Sequence, residues 1–248
     1  MIKFLLILGM AISLNAEIVI PIDKGEFKIL YSPAYKGAVS VSYELNKKVS
    51  VGNIKERMSF YKEPVLPYEI ALLPEDFTNT GFDRGHMASD ASFDWNKDVL
   101  KKTYSMANIV LQYPKVNREV WASIEEIERY TAVQFGKVSV ENRIFYGNEF
   151  LVKKPIAEGK DAKYTKKYER DAHFLEKKKI RVPVAFLKVI KAVNFEECYY
   201  VENKEDIKVK PAKEYLVNCK EVLKWLFILI NFIICQWLKD LYSIVIVC

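Results

Sequence analysis

The segment GFDRGHMASD, residues 81–90, contains His86, one of two histidines in this chain of 248 residues. A neutral imidazole, whose ordinary pKa is about 6.5, can accept a proton at neutral pH, as a general base must. Arg84 projects to the same side of a strand as His86, where its guanidinium can bind a phosphate through two hydrogen bonds. Gly85 allows a ligand to approach the backbone closely. These residue types indicate attack on a phosphorus centre.

A second group of polar residues, which includes Asn117 and Glu125, follows among apolar neighbours. Their separation corresponds to about two helical turns, with the side chains roughly 80° apart around the axis. An amide oxygen together with a carboxylate that holds water suits a hydrated Mg²⁺. By spacing alone, however, a helix-capping Asn and a solvated Glu are the more common explanation.

Together these segments resemble the DNA/RNA non-specific endonuclease family. The family signature is Asp-Arg-Gly-His, found here in FDRGHMASDASF, and the resemblance runs from about residue 30 to about residue 200. Leu111 stands where many members have proline, which we expect to affect only the local turn. The family's helix region carries polar and aromatic residues at set intervals, matched in YSMANIVLQYPKVNREVWASIEEIER by Asn108, Gln112, Asn117, Trp121 and Glu125.

The resemblance implies an α+β fold of the ββα-metal nuclease type, a single domain with a central, mostly antiparallel sheet flanked by helices. It implies one Mg²⁺, with Mn²⁺ as an alternative, and Asn117 as its only direct protein ligand. It further implies that His86 is the general base and that Arg84 contacts the phosphate or the transition state. Glu125 is expected to orient water on the metal, and Asn108 to support the site.

The resemblance also implies DNA and RNA as substrates, with little sequence preference. Arg57, in KERMSFYKEP, matches the family's upstream arginine. Two other hypotheses stay open: a catalytically silent nucleic-acid-binding protein at the cell surface, and a metal hydrolase for another phosphodiester. A binding protein needs neither a base nor a metal ligand, so the presence of His86, Asn117 and Glu125 favours the enzyme.

The overall composition is that of a folded globular protein. Half of the residues are apolar and 28% are charged, which argues against a disordered chain. The 38 Lys and Arg exceed the 32 Asp and Glu to give a net charge of +6. This excess permits binding to polyanions but is also compatible with an ordinary soluble surface.

The first 16 residues resemble a secretory signal peptide, because Lys3 precedes an apolar run that ends in small or polar residues. We therefore expect an exported protein, periplasmic or secreted. Export would permit a disulfide between Cys198 and Cys219, although two buried thiols are an equally good interpretation.

The elements that must position these residues follow from periodicity. AVSVSYEL, residues 38–45, alternates like a half-buried strand, and residues 46–80 form a long connection with short helical turns such as LPEDF. NREVWASIEEIERYTAVQF has a helical pattern with Asn117 at the N-cap. Two strands follow at 137–150 and 179–193. They are separated by a lysine-rich loop, in which His173 is predicted to be a surface residue. Pro183 predicts that the second strand lies at an edge of the sheet or contains a bulge.

This order of elements indicates one mixed domain of residues 20–220. Residues 221–248 form an apolar tail interrupted by Lys239 and Asp240, and it contains the remaining cysteines, Cys235 and Cys248. Three interpretations of the tail stay open: a membrane anchor, a hydrophobic patch that docks on the domain or on a partner, and an extension without function. The oligomeric state is not determined by these patterns.

Overall fold

A computed structural model describes residues 18–52, 54–154 and 162–222. The predicted leader, residues 1–16, lies outside the described residues, and so does the tail apart from its first two residues. Within the described ranges, no helix is long and apolar enough to cross a bilayer. The interpretations of the leader and the tail therefore stay predictions.

The described residues form strands, helices and short 3-10 turns. The strands are β1 (Ile20–Asp23), β2 (Phe27–Ser32), β3 (Gly37–Asn46), β4 (Asp83–His86), β5 (Ile109–Gln112), β6 (Lys137–Phe150), β7 (Arg181–Ala192), β8 (Phe195–Glu202) and β9 (Leu216–Val217). The α-helices are α1 (Lys97–Thr103), α2 (Ala122–Phe135) and α3 (Ala162–Lys178). One of the 3-10 turns is Pro74–Phe77, in the predicted LPEDF turn.

A seven-stranded sheet in the order β1-β2-β3-β6-β7-β8-β9 forms the centre of the domain, and all its neighbouring strands are antiparallel. Strands β4 and β5 form a separate antiparallel ribbon. The predicted central antiparallel sheet is confirmed. In β3, Val41, Tyr43 and Leu45 are buried while Ser42 and Glu44 are exposed, so the predicted half-buried strand is also confirmed.

Strand β7 lies between β6 and β8, so the edge position considered for Pro183 is wrong. The alternative, a bulge, is correct: the register with β6 shifts where Tyr146 pairs with Pro183 and Phe145 pairs with Ala185. Proline has no N–H to donate to the ladder, and a register shift is one way to accommodate it inside a sheet.

The helix predicted from residue 117 is present, but its start differs from the prediction. The backbone N–H of Asn117 already donates to the carbonyl of Tyr113, and residues Val116–Trp121 form a π-helical segment that leads into α2. Asn117 is therefore inside the helix, not at its N-cap. Leu111 lies buried in β5, a strand rather than the expected turn. On α2, Ile124 packs into the main core beneath the sheet.

The lysine-rich segment predicted as a loop is the helix α3 over most of its length. Lys and Glu favour helices, and Leu175 is buried on the inner side of α3. Lys178, near its end, is buried in an ion pair with Asp76 at 2.5 Å. Tertiary contacts of this kind, which loop-like composition does not reveal, stabilise the helix. His173 is exposed, as predicted, but lies on a helix.

Cys198 and Cys219 form a disulfide with their Cα atoms 5.3 Å apart. Of the two interpretations left open by the sequence, the bridge is therefore the one that the structure contains. The bridge packs against Leu187 and Val189 in a small cluster on the sheet. It ties the segment after β9 to β8.

Candidate active site

The Asp-Arg-Gly-His motif forms the whole of β4, where Asp83 lies opposite Gln112 of β5. Side chains alternate between the two faces of a strand, so Arg84 and His86 share one face. Phe60 lies beside both of them: its ring centroid is 5.4 Å from Arg84 Cζ and 5.6 Å from the His86 ring. The strand therefore brings the predicted base and the predicted phosphate ligand to the same side.

His86 is half-buried between two aromatic rings. The Tyr104 ring lies edge-on with its centroid 4.9 Å away, and Phe60 lies on another side. Burial lowers the pKa of His86, Asp90 opposes this effect, and Arg57 adds to it. The Nε2 atom is buried without a hydrogen-bond partner among the described residues. A neutral imidazole with an unpaired nitrogen is suited to accept a proton.

The Arg84 guanidinium is held by the Pro74–Phe77 turn. Its Nε and Nη2 atoms donate to the carbonyl of Pro74 at 3.3 and 2.7 Å. Its Cζ lies 5.9 Å from the centroid of the Phe77 ring. A guanidinium has five N–H donors, so this anchor fixes the group and leaves donors for a phosphate.

Asn117 is oriented by the first residue of the motif. Its Nδ2 donates to Asp83 Oδ2 at 3.0 Å, and Arg118 donates to both oxygens of the same carboxylate at 2.8 and 2.7 Å. Burial alone would raise the pKa of Asp83, but hydrogen bonds from Arg118 and Asn117 outweigh it and lower that pKa. The amide nitrogen of Asn117 thus faces an anion, which leaves its oxygen for a cation. Sequence reasoning missed this role of Asp83, although the residue belongs to the motif.

Glu125 contacts the segment that follows β4. Ser89 Oγ donates to Glu125 Oε2 at 3.1 Å. Burial raises the pKa of Glu125 to about 8, Lys188 opposes this rise, and Glu128 reinforces it. The carboxyl is therefore poised to ionise when a positive charge comes close.

Asn108 is fully buried and clamps the backbone just beyond His86. Its Nδ2 donates to the carbonyls of Ala88 and Thr103 at 2.9 and 2.8 Å, and its Oδ1 accepts from Ala88 N at 2.8 Å. Its own carbonyl accepts from Met87 N at 3.0 Å. These hydrogen bonds fit the supporting role predicted for Asn108, which stays a prediction.

Arg57 lies on the rim of the site, with 85% of its side chain exposed and its Nη1 4.0 Å from Asp90 Oδ2. It borders a cavity of about 290 Å³ beside Tyr104, the residue that packs on His86. This places the predicted upstream arginine near the base, where its charge acts over a distance. Other residues that line the cavity are Lys55, Glu56, Asp90 and Asp94.

Gly85 is required by a neighbouring side chain, that of Gln112, and the expected close approach of a ligand at Gly85 stays a prediction. A Cβ atom at this position would lie 1.9 Å from Gln112 Oε1. Gln112 is fully buried, and neither of its amide atoms has a hydrogen-bond partner among the described residues. The amide of Gln112 therefore occupies the space that a side chain at Gly85 would need.

A buried polar network beneath the site was also missed. Glu128 accepts from Tyr43 Oη at 2.9 Å and forms an ion pair with Lys188, and both members of the pair are fully buried. Asn142 Nδ2 donates to Tyr43 Oη at 3.3 Å and to the carbonyl of Met87 at 2.7 Å. The network thus reaches the residue directly after the base.

Arg129 was likewise not singled out by the sequence analysis. Its Nη1 is buried without a partner among the described residues, and its charge favours the ionised form of Glu125 and so lowers that group's pKa. The available signal was its position one helical turn after Glu125.

The donor set fits a hydrated cation better than a metal cage. In the part of the chain that the structure describes, no cluster of three or more His, Cys, Asp or Glu side chains could hold a metal. Mg²⁺ keeps several waters and needs only one or two protein oxygens. Asn117 contacts Asp83 at the start of β4, and Glu125 contacts Ser89 just beyond its end, so both border the segment that carries His86.

The chain is similar in sequence to known nucleases. The model of the DNA/RNA non-specific endonuclease family matches residues 12–225. Endonuclease G, mitochondrial, of Homo sapiens is 28% identical over 170 residues, which cover 68% of this chain and 53% of that protein. Nuclease C1 of Cunninghamella echinulata var. echinulata is 30% identical over 144 residues, 58% of this chain and 52% of that protein. The chain thus spans about half the length of these relatives.

A solved structure is similar in fold. A chain in the crystal structure of the EndoG/EndoGI complex superposes with a TM-score of 0.62 and 16% identity, over 82% of each chain. At this identity the similarity concerns the fold alone, and it confirms the predicted fold class.

Proposed function

The chain belongs to the DNA/RNA non-specific endonuclease family, and from this premise we propose that it is a metal-dependent endonuclease that hydrolyses phosphodiester bonds of DNA and RNA. The observation that carries the proposal is the unpaired Nε2 of His86, held between aromatic rings on the same strand face as the anchored Arg84. Attack on a phosphodiester requires a base and a group that binds the phosphate, and His86 and Arg84 provide these two groups on one strand face.

In the proposed reaction, Nε2 of His86 takes a proton from water while the water oxygen attacks phosphorus. The bond from phosphorus to the leaving oxygen breaks, and the leaving oxygen gains a proton from solvent. Arg84, already fixed by the Pro74 carbonyl, donates to the phosphate oxygens and loses little conformational freedom in doing so.

Mg²⁺, or Mn²⁺ as the alternative, would be held by the amide oxygen of Asn117 and would supply positive charge that stabilises the negative transition state. The hydrogen bond to Asp83 keeps that amide in the required orientation. Glu125, which accepts a hydrogen bond from Ser89, would orient water beside the metal. Since the proposed contacts go to phosphate rather than to base edges, little sequence preference is expected.

We place the proposed enzyme outside the cytoplasm, periplasmic or secreted. Two observations support this proposal: the apolar leader predicted at residues 1–16, and the Cys198–Cys219 disulfide, a type of bond that persists in oxidising compartments. Measuring the protein and its processed N-terminus in cell fractions tests it. An unprocessed protein found only in the cytoplasm contradicts it.

Plasmid nicking with and without EDTA tests the proposed activity. His86→Ala should abolish nicking in Mg²⁺ buffer, because alanine has no group that can accept the proton. Lys28→Gln is the control, since it alters an exposed side chain of β2 that lies outside both the site and α3, and it should leave nicking unchanged. Undiminished cleavage by His86→Ala contradicts the assignment. A metal-independent gel shift without cutting by the unsubstituted protein would instead support the binding-protein alternative.

A further inference from the structure

One face of α3 carries most of the helix's basic side chains. Side chains three, four and seven residues apart lie on the same side of a helix, and this spacing joins five exposed basic residues. We call this set of residues the basic face of α3. It consists of Lys163, Lys166, Lys167, Arg170 and Lys177.

The acidic residues of α3 neutralise only part of this face. Asp171 pairs with Lys167 at 2.6 Å and lies 3.7 Å from Arg170. For Lys163, Lys166 and Lys177, no carboxylate among the described residues comes within ion-pair distance, 4.0 Å. Exposed ammonium groups without a neighbouring carboxylate on one side of a helix form a surface that attracts a polyanion.

The inner side of α3 is docked on the turn that anchors Arg84. Lys178 forms its buried ion pair with Asp76, and Asp76 also accepts from Leu73 N at 2.8 Å. Pro74, the first residue of this turn, provides the carbonyl that holds Arg84. The basic face and the phosphate ligand of the proposed site are therefore supported by one short segment.

A cleft of about 460 Å³ lies between α3 and this turn. Its walls include Lys167 and Arg170 of the basic face and two partly exposed aromatic side chains, Tyr68 at 53% and Phe174 at 49%. Exposed rings beside basic groups are typical of surfaces on which unpaired bases stack while phosphates bind nearby.

We propose that the basic face of α3 is a second contact surface for the nucleic-acid substrate, and that it binds phosphates of nucleotides beyond the one that is cleaved. The inference rests on the proposed function, because it assumes that a strand passes Arg84. A nucleic-acid strand is favoured over other polyanions because the face adjoins the Arg84 anchor and borders a cleft that is lined by exposed aromatic rings. The surface adds affinity for long substrates and contributes nothing to the bond-breaking step.

The test uses a triple variant, Lys163→Gln, Lys166→Gln and Lys177→Gln, in the full chain. Binding to long single-stranded DNA is measured in EDTA on the His86→Ala background, which prevents cleavage. The slope of log K against log salt concentration should become shallower by about 2, since each lost phosphate contact contributes about 0.7 to 0.9. With His86 intact, the triple variant should cleave long DNA more weakly. Its hydrolysis of a dinucleotide, which covers only the cleaved bond, should stay unchanged.

The matched control removes the same charge elsewhere on the surface: Lys28→Gln, Lys47→Gln and Lys213→Gln, all exposed and outside α3. This control should keep nearly the full salt slope. An equal slope in the two triple variants overturns the inference, and so does loss of dinucleotide hydrolysis in the α3 variant, which would show damage to the site itself.

Vesicles of phosphatidylserine and phosphatidylcholine provide one more arm. If the unsubstituted protein binds these vesicles, the α3 triple variant does not, and the two proteins have the same DNA salt slope, the partner is a membrane and the inference is wrong. If the unsubstituted protein cuts neither DNA nor the dinucleotide, the proposed function is refuted instead. The two failures are therefore distinguishable.

Discussion

The amide Nδ2 of Asn117 donates a hydrogen bond to Asp83 Oδ2 at 3.0 Å, so the first residue of the Asp-Arg-Gly-His motif orients the proposed metal ligand. The two residues are 34 positions apart in the chain. Arg118, the neighbour of Asn117, binds the same carboxylate from an exposed position. The strand and the helix of the site are thus joined through a single acidic side chain.

Asp83→Ala should weaken Mg²⁺ binding by about tenfold or more, because loss of a partner that orients a metal ligand typically has this effect. Isothermal titration calorimetry measures the dissociation constant. The matched control is Arg118→Gln, which removes an exposed ion pair and should change affinity by roughly fivefold at most. An unchanged dissociation constant in Asp83→Ala would place the metal elsewhere.

Gly85→Ala should lower the free energy of unfolding by about 1 to 3 kcal/mol, because the new methyl group collides with the Gln112 amide. Urea unfolding provides the measurement. The double variant Gly85→Ala and Gln112→Ala should lose less unfolding free energy than the sum of the two single losses, since shortening Gln112 frees the space. Strictly additive losses would show that the collision is not the cause.

At saturating Mg²⁺, whose charge favours the ionised form of Glu125, the acid limb of kcat/KM should lie below pH 6.5, the ordinary pKa of histidine, because burial lowers the pKa of His86. The neutral form is the one that accepts a proton, so a lower pKa extends activity to lower pH. Arg57 also lowers this pKa, and Arg57→Gln should therefore move the limb to higher pH. The Arg57 side chain is mostly exposed, so this displacement should be small and should fade with added salt. A limb above pH 6.5 in the unsubstituted protein contradicts the prediction.

Lys188→Met should cost about 3 to 5 kcal/mol of unfolding free energy, because it leaves the Glu128 carboxylate buried without its cation. The double variant Lys188→Met and Glu128→Gln should recover a large part of this loss. The glutamine amide oxygen can still accept from Tyr43 and from Ser92, which now hydrogen-bond the carboxylate. Chemical denaturation compares the three proteins, and a double variant no more stable than Lys188→Met would show that the unpaired charge is not the source of the loss.

Replacement of both Cys198 and Cys219 by serine should lower the unfolding free energy by roughly 3 kcal/mol, the contribution expected when a bridge closes a loop of about 20 residues. Differential scanning calorimetry should show a lower Tm. Dithiothreitol should reproduce the loss in the unsubstituted protein and have little further effect on the double variant. Equal stability of the oxidised and reduced proteins would mean that the bridge contributes nothing.

Several features could be predicted from the sequence because they depend on local periodicity or on motif spacing. The alternation around Tyr43 predicts strand β3, the helical stripe that includes Ile124 predicts α2, and the spacing of His86 to Asn117 indicates the family. Each pattern is contained in one short segment or in a fixed interval. Helix α3 was missed because its lysines resemble a solvated loop, while its docking through Leu175 and Lys178 depends on residues far along the chain.

The sequence by itself determined the chemical groups of the candidate site and the strand and helix that carry them. The tertiary structure decided which groups touch: Asp83 with Asn117, Ser89 with Glu125, and Gln112 against Gly85. It also decided that the Pro74 carbonyl anchors Arg84. The physical reason is that hydrogen bonds and steric contacts between distant residues depend on strand register and helix packing, which balance many weak interactions over the whole domain.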